Sequence, residues 1–266
     1  MSETIKPRDG AFRQDGKWTR EQTLLAFKLY CETPFGQLDS RNKKIISLSG
    51  LIGRTPSAVA MKCVNLASLD PKVRERGRTG LSNASALDRK VWEEAHSNWS
   101  AVISECEEIL ADLYKEKRLP QPEVLREDER DFTGEVRTAL TKQRVGQAFF
   151  RRAVLSSYGE RCCISGVSDP RFLVASHIVP WSEDATIRLH PRNGLCLSAI
   201  HDKAFDKHLF SLTDDYRIIL SAQLRKTEDE FLKQVFLPTE GRQIALPDKF
   251  VPAAEFLARH RQAMAA

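Results

Sequence analysis

The first half of the chain places apolar residues at the spacing of amphipathic helices. Residues 20–31 follow this period, with Thr19 as a candidate N-cap and Gln22 three residues later. Residues 87–114 follow it as well, and we interpret them as helical surface that packs in the core or against a second copy of the chain. The pattern predicts a helical N-terminal region.

Two shorter helical patterns lie between these stretches. Residues 43–51 form the first, Gly53 ends it, and Thr55 with Pro56 begins a second that runs to about residue 69. Two short helices joined by a glycine-containing turn are typical of a helix-turn-helix, whose second helix enters the DNA major groove. A helix pair that only packs in a bundle fits the same pattern equally well.

The pattern changes in the second half of the chain. A long helical pattern covers residues 138–158, and two short apolar strands follow, near residues 172–175 and 193–197. A further helix opens at about His201. We therefore expect an α+β fold with a helical N-terminal domain and a C-terminal domain in the order strand, strand, helix.

Length and composition add a boundary between these two patterns. The chain has 266 residues, which suggests two domains at roughly 150 residues each. Residues 118–131 combine prolines with a dense charge run, as solvated connectors do. We expect domains at residues 1–117 and 136–266, joined by an acidic linker at 118–135. The chain shows neither a membrane-spanning apolar run nor a signal peptide, so a cytoplasmic protein without a membrane partner is expected.

The positive charge is concentrated in one segment. The net charge of the whole chain is only +5, yet residues 41–90 hold 11 basic and 3 acidic residues. Such a segment is the electrostatic footprint of a nucleic-acid partner, although a solvated basic surface has the same composition. On the second helix of the pair and the turn before it, the residues able to reach phosphates or base edges are Arg54, Ser57, Lys62 and Asn65.

Three short motifs in the second half carry the candidate chemistry. They are Ser176-His177-Ile178 with Pro180-Trp181, then Asn193-Gly194-Leu195, then His201 followed by Phe205-Asp206. Their order and spacing resemble one subgroup of the HNH endonuclease family, and the resemblance extends from about residue 133 to 220. It implies a ββα-metal fold that hydrolyses nucleic-acid phosphodiesters with one divalent cation, Mg²⁺ or Mn²⁺.

Phosphodiester hydrolysis needs a base that deprotonates water and positive charge that stabilises the phosphorane. A neutral imidazole titrates in the right range for the first task, so His177 is our candidate general base. By the resemblance, Asn193 would hold the loop between the strands and orient His177, and His201 would ligate the metal. Asp206 is the first candidate for a second metal ligand, and Asp202 is the next.

The chain departs from the family pattern at three positions. Ser176 stands where many members have a metal-binding Asp or His, which leaves part of the coordination open. His208 stands where the subgroup has Gly, as an extra ligand or a surface residue. The six cysteines include no Cys-x-x-Cys pair, and Gly166 takes the place of a zinc-knuckle cysteine, so we expect reduced thiols and no structural zinc.

Further residues are candidates for DNA contact or for packing around the motifs. Arg144 and Arg151 precede the motifs and either support them or hold phosphate, and Lys203 either meets the DNA backbone or is solvated. His190, in the loop before Asn193, could contact a phosphate. We expect Phe150 to pack and Trp181 to close the back of the metal site.

The expected function is a restriction or defence endonuclease that recognises DNA through its N-terminal domain and has no small-molecule substrate. Since one such module cuts one strand, double-strand cleavage predicts a homodimer. Two alternatives remain open at this stage: a DNA-binding regulator with an inactive HNH-like domain, and a nuclease that acts on RNA or on structured or damaged DNA.

Overall fold

The computed structural model describes residues 16–75, 83–120 and 134–265. The helices of these residues are α1 (Arg20–Cys31), α2 (Lys43–Ile52), α3 (Pro56–Ala67), α4 (Pro71–Glu75), α5 (Ala86–Ser97), α6 (Trp99–Glu116), α7 (Gly134–Ser157), α8 (Ala199–Asp206), α9 (Ala222–Arg225), α10 (Glu230–Phe236) and α11 (Ala254–Ala265). The strands are β1 (Leu173–His177), β2 (Gly194–Ser198), β3 (Phe210–Leu212) and β4 (Ile218–Leu220). The fold class is α+β, as the sequence predicts.

The N-terminal helices begin and end where local chemistry dictates. The Thr19 hydroxyl accepts a hydrogen bond from the Gln22 amide at 3.2 Å, and the Gln22 side chain accepts one from the Thr19 amide, which confirms the predicted capping box of α1. Gly53 ends α2 in the left-handed region with φ of 65°, and Thr55 caps α3. Both short helices pack on α1.

Residues 87–114, whose apolar residues recur at helical spacing, form two helices, α5 and α6. Asn98 caps the end of α5 through its backbone amide, and its side chain accepts the Ala101 amide at 3.0 Å at the start of α6. One residue therefore ends one helix and begins the next, and apolar periodicity alone could not show this break.

The C-terminal region is built around a small antiparallel sheet that packs on α7. Strands β1 and β2 pair so that His177 lies opposite Gly194 and Leu173 opposite Ser198. Helix α8 follows β2 directly and packs on both strands, which completes the ββα unit. A second hairpin pairs β3 with β4, and α11 packs on β3.

The two regions share one packed core. Helix α7 contacts α1 and α6, and the Ser156 hydroxyl donates to the Cys31 carbonyl at 2.7 Å. From the C-terminal region, the buried Lys249 ammonium donates to the carbonyls of Tyr30, Cys31 and Thr33 at the end of α1. Helix α7 therefore packs between the N-terminal helices and the β1–β2 sheet.

Two further predictions concern the cysteines and membrane-spanning helices. All six cysteines lie in described ranges, and they are buried and form no disulfide. Of the helices that the structure describes, none has both the length and the apolar character of a membrane span.

Candidate active site

His177 ends β1 with its ring held on two sides. The ring stacks on Phe150 of α7 with centroids 3.8 Å apart and planes 9° apart, and Trp181 meets it edge-on at 5.5 Å. Nε2 lies 3.0 Å from the Arg188 carbonyl oxygen. Because a carbonyl only accepts, Nε2 carries the hydrogen, and the lone pair of the neutral ring is on Nδ1. Phe150 therefore packs, as predicted, and the ring it supports can accept a proton.

Burial lowers the pKa of His177 below its ordinary value, and the Arg188 carbonyl and the Asp206 carboxylate oppose that shift. The imidazole is therefore neutral at pH 7, which is the form a general base needs.

The Asn193 side chain hydrogen-bonds to the backbone of the loop that follows β1. Its side chain is fully buried, and Oδ1 accepts the Val179 amide at 2.8 Å while Nδ2 donates to the Val179 carbonyl at 3.0 Å. Its backbone carbonyl accepts the Ile178 amide at 2.9 Å. These three bonds join the base of the loop just after His177, which is the placement that the predicted positioning role requires.

Asp202 and Asp206 face the cavity that contains His177. They lie one turn apart on α8, and the cavity, of about 460 Å³, is lined by Ser176, His177, Trp181, Asp202, Asp206 and His208 among others. Burial raises the pKa of Asp202, the Ser176 hydroxyl opposes that shift, and the Asp206 carboxylate adds to it. The cavity thus combines an imidazole base with two neighbouring carboxylates.

Residues 162–213, which include both strands of this unit and α8, match the family model described as HNH endonuclease. This part of the chain is similar to the HNH endonuclease family. No curated protein matches the chain. The match confirms the resemblance drawn from the motifs, and it assigns a nuclease-type function to the HNH domain in general terms.

His201 lies on another side of α8 from the two carboxylates. Its Nδ1 is 2.7 Å from the Ser198 hydroxyl, and it lines a separate cavity of about 360 Å³ with Ser165. Although burial opposes the shift, hydrogen bonds from His201 and Ser165 lower the pKa of Cys162 to about 6. Five positions along a helix rotate a side chain by about 140°, so His201 and Asp206 point apart. The structure does not bring together the predicted ligand set of His201, Asp206 and Asp202; it groups Asp202 and Asp206 with His177.

The carboxylate pair fits a hard divalent cation. Among the described residues, no three His, Cys, Asp or Glu side chains converge as a complete metal cage. Mg²⁺, however, is commonly held by one or two carboxylates together with waters and substrate phosphate. The buried Ser176 hydroxyl, which lacks a well-formed hydrogen bond, borders the same cavity and adds an oxygen donor. Because a phosphodiester is an anion, two ionised carboxylates in the cavity would repel it unless a cation were bound between them.

Two further histidines adjoin the cavity. His208 and His260 both line it, and His208 Nδ1 lies 3.2 Å from His260 Nε2. His260 is buried, and its ring stacks on Phe205 with centroids 3.7 Å apart. From the sequence, His208 was predicted to be either an extra ligand or a surface residue, and His260 was assigned no role; the two are 52 positions apart.

Of the other candidate contacts around the HNH motifs, some bond or pack within the protein and others are exposed. The Arg151 guanidinium donates to the Leu173 carbonyl at 2.9 Å, so it supports the start of β1. Arg144 and Lys203 are exposed, on α7 and α8. His190 accepts the Arg192 amide and packs its ring 5.1 Å from that of Trp99, which corrects its reading as a phosphate contact.

Two of the four N-terminal candidates are engaged within the protein. Lys62 is buried and pairs with Asp88 at 2.6 Å, and Arg54 donates to the carbonyls of Gly16 and Lys17 and to Gln22. The Lys62 ammonium cannot reach DNA without breaking its ion pair, so the prediction for Lys62 is wrong for this structure. Arg54 is half-buried, and its contact with DNA stays a prediction. Ser57 is exposed and Asn65 is half-buried. The sequence could not predict that Lys62 pairs with Asp88, because the two residues are 26 positions apart.

Proposed function

We propose that the chain is a divalent-metal-dependent endonuclease that hydrolyses DNA phosphodiester bonds in the cavity between β1 and α8. One observation carries the proposal: a neutral imidazole with its lone pair on Nδ1 shares a cavity with two carboxylates one turn apart. An imidazole base beside a cation-binding carboxylate pair is what metal-assisted hydrolysis of a phosphodiester requires. The match of residues 162–213 to the HNH endonuclease family supports the same reaction.

In the proposed reaction, Nδ1 of His177 takes a proton from a water molecule. The water oxygen forms a bond to phosphorus while the bond from phosphorus to the 3′ oxygen breaks, and the 3′ oxygen takes a proton from solvent. The products are a 5′-phosphate and a 3′-hydroxyl. His177 then returns its proton to solvent.

The other residues of the site hold the reacting groups. Asp202 and Asp206 would hold one Mg²⁺ or Mn²⁺, with the Ser176 hydroxyl as a third donor. When bound, the cation supplies positive charge for the phosphorane and the leaving oxygen. Asn193 is a positioning residue, since it fixes the backbone just after His177. His201, which was predicted as a ligand, is assigned to packing beside Cys162.

The decisive experiment is cleavage of supercoiled plasmid by the wild-type chain and by His177→Ala, with Mg²⁺ or Mn²⁺ present. We expect His177→Ala to abolish nicking while it still binds DNA, and EDTA to stop the wild type. Asp206→Asn should raise the Mn²⁺ concentration needed for half-maximal rate, because it removes a charged donor. Glu160→Gly, at an exposed position outside the cavity, is the matched control. Retained cutting by a folded His177→Ala variant would disprove the mechanism.

We further propose that the N-terminal region selects the DNA in a restriction or defence role. The charge of residues 41–90 and the pair α2 and α3 support this, with Ser57 exposed near the start of α3. Plasmids from a methylating host and from an unmodified host, cut in parallel, test the role. Equal cleavage of both would argue against discrimination by base modification.

A homodimer remains part of the proposal, because one cavity cuts one strand. If two copies act together, linear product should appear without an accumulated nicked intermediate, and light scattering should give twice the mass of one chain. Accumulated nicked circles from a monomer would contradict it. The cytoplasmic location stays a prediction.

A second candidate function is a DNA-binding regulator whose HNH domain is inactive. Ser176, in place of an acidic or imidazole ligand, favours it, since a neutral hydroxyl binds a cation more weakly. Nicking that EDTA stops would exclude this candidate. A parallel panel of RNA and of mismatched or branched DNA tests the remaining alternative, that another nucleic acid is the substrate.

A further inference from the structure

His208 lies two residues after the end of α8, in a backbone conformation that favours glycine. Its φ is 52°, in the left-handed region, and its amide donates to the Phe205 carbonyl at 2.8 Å. A glycine here would close the helix without steric cost. The chain nevertheless has an imidazole at this position, and that imidazole borders the cavity that holds His177 and Asp206.

A chain of hydrogen bonds fixes which nitrogen of His208 carries its proton. His260 Nε2 lies 3.1 Å from the Phe205 carbonyl oxygen, so it must be protonated, because a carbonyl cannot donate. The buried Ser211 hydroxyl lies 2.9 Å from His260 Nδ1 and donates to it. Stacking on Phe205, with planes 3° apart, holds the His260 ring in this orientation.

The protonated Nε2 of His260 faces Nδ1 of His208 at 3.2 Å. Nδ1 of His208 must therefore accept, and the proton of the neutral His208 ring is on Nε2. This tautomer leaves no lone pair on Nε2, so it presents a donor and is unsuited to ligate a metal. Among the residues that the structure describes, His208 Nε2 has no hydrogen-bond partner.

We propose that His208 is a phosphate-contacting residue of this HNH domain, with Nε2–H donating to a non-bridging oxygen of the substrate phosphodiester and His260 acting as the positioning residue. The inference rests on the proposed function, which places a phosphodiester in this cavity. It adds a neutral donor on the C-terminal side of the carboxylate pair, where the subgroup pattern has no side chain. On this inference His208 contacts the substrate and is not a metal ligand.

The first test reads the tautomer directly in the metal-free protein. Long-range proton–nitrogen NMR spectra of the full chain, assigned by comparison with His208→Gly, report which ring nitrogen bears hydrogen. We expect a protonated Nε2 and an unprotonated Nδ1 for His208. The opposite tautomer would overturn the inference, whether or not the protein cuts DNA.

The second test uses His208→Gly, a change that suits the positive φ and so preserves the fold. Glu160→Gly is the matched control, because Glu160 also has a positive φ, of 56°, and lies outside the cavity. We expect kcat/KM on plasmid DNA to fall about ten- to a hundred-fold for His208→Gly, the range for a lost hydrogen bond to a charged group. The Mn²⁺ concentration for half-maximal rate should not change, and Glu160→Gly should match the wild type.

Each outcome of this second test is decisive. An unchanged kcat/KM in folded His208→Gly would overturn the inference, and so would a raised Mn²⁺ requirement, which would identify a metal ligand. If the wild type does not cut DNA at all, the proposed function fails first. Binding of a labelled DNA duplex in Ca²⁺ then decides: binding that is about ten- to a hundred-fold weaker for His208→Gly supports the contact, and equal binding overturns it.

Discussion

At the scale of single residues, Gly194 shows why the Asn-Gly motif carries no side chain at its second position. Gly194 lies opposite His177 in the sheet. A Cβ placed there would come within 2.3 Å of Val154 Cγ2 and 2.9 Å of Phe150 Cζ. Phe150 is the ring on which His177 stacks. The glycine therefore allows α7 to approach closely enough to support the proposed base.

Gly194→Ala should destabilise the protein and reduce cleavage together. Overpacking of this kind costs about 1–3 kcal/mol, and the displaced Phe150 ring would shift His177. Denaturant unfolding and plasmid nicking measure the two effects. Gly50→Ala is the control, because Gly50 lies in α2 with no heavy atom within 4 Å of its added Cβ. Equal stability of the two variants would contradict this account of the motif.

At the scale of elements, the buried pair of Lys62 and Asp88 joins α3 to α5. Asp88 is fully buried, and its second oxygen accepts the Ser85 amide at 2.8 Å in the capping box of α5. Lys62 also lies 4.8 Å above the Trp18 ring. The pair thus fixes how two helices of the basic segment pack.

Lys62→Met should lower the free energy of unfolding by about 3–5 kcal/mol, because the Asp88 carboxylate would remain buried without its ion-pair partner. Lys90→Met, an exposed lysine on α5, should change stability little. Thermal and urea unfolding measure both variants. If Lys62→Met were as stable as Lys90→Met but bound DNA more weakly, Lys62 would be a DNA contact after all.

The sequence predicted elements well where the signal is local. The capping box of α1, the stop at Gly53 and the start at Thr55 depend on neighbours within four positions. Side-chain partners that are distant in the chain could not be predicted, and Lys62 with Asp88 or His208 with His260 are examples. The position of His201 was open to prediction: residues four apart share a helix face and residues five apart do not, which favours Asp202 with Asp206.

At the scale of the whole molecule, His190 joins the HNH domain to the N-terminal helices. Its ring lies 5.1 Å from Trp99 and 5.9 Å from His96. Burial, together with the charges of His96 and Arg192, lowers the pKa of His190 to about 3. The ring is therefore neutral in the folded protein at any pH above that value.

This shift predicts acid destabilisation. Between about pH 6.5 and pH 3 the unfolded chain binds a proton at His190 that the folded chain does not, so stability is lost as pH falls through that window. The slope from one such group is at most about 1.4 kcal/mol per pH unit. His190→Gln should reduce the slope of unfolding free energy against pH between pH 6.5 and 4. An unchanged slope would show that His190 titrates normally.

The shared core predicts cooperative unfolding of the two regions. Calorimetry of the full chain should show one thermal transition, because α7 and Lys249 both bond to the end of α1. A fragment of residues 136–266, the predicted second domain, should melt at a lower temperature than the full chain, since these partners are absent. Two separate transitions, or a fragment as stable as the full chain, would support independent domains instead.

Lys249 also has a consequence for the order of events during synthesis. The last carbonyls of α1 are satisfied by an ammonium group 218 positions later than Cys31. The N-terminal helices can form as they leave the ribosome, but the end of α1 acquires these hydrogen bonds only after Lys249 has emerged. Because α7 packs against this same end, the packing that supports the proposed active site is complete only once translation has passed Lys249.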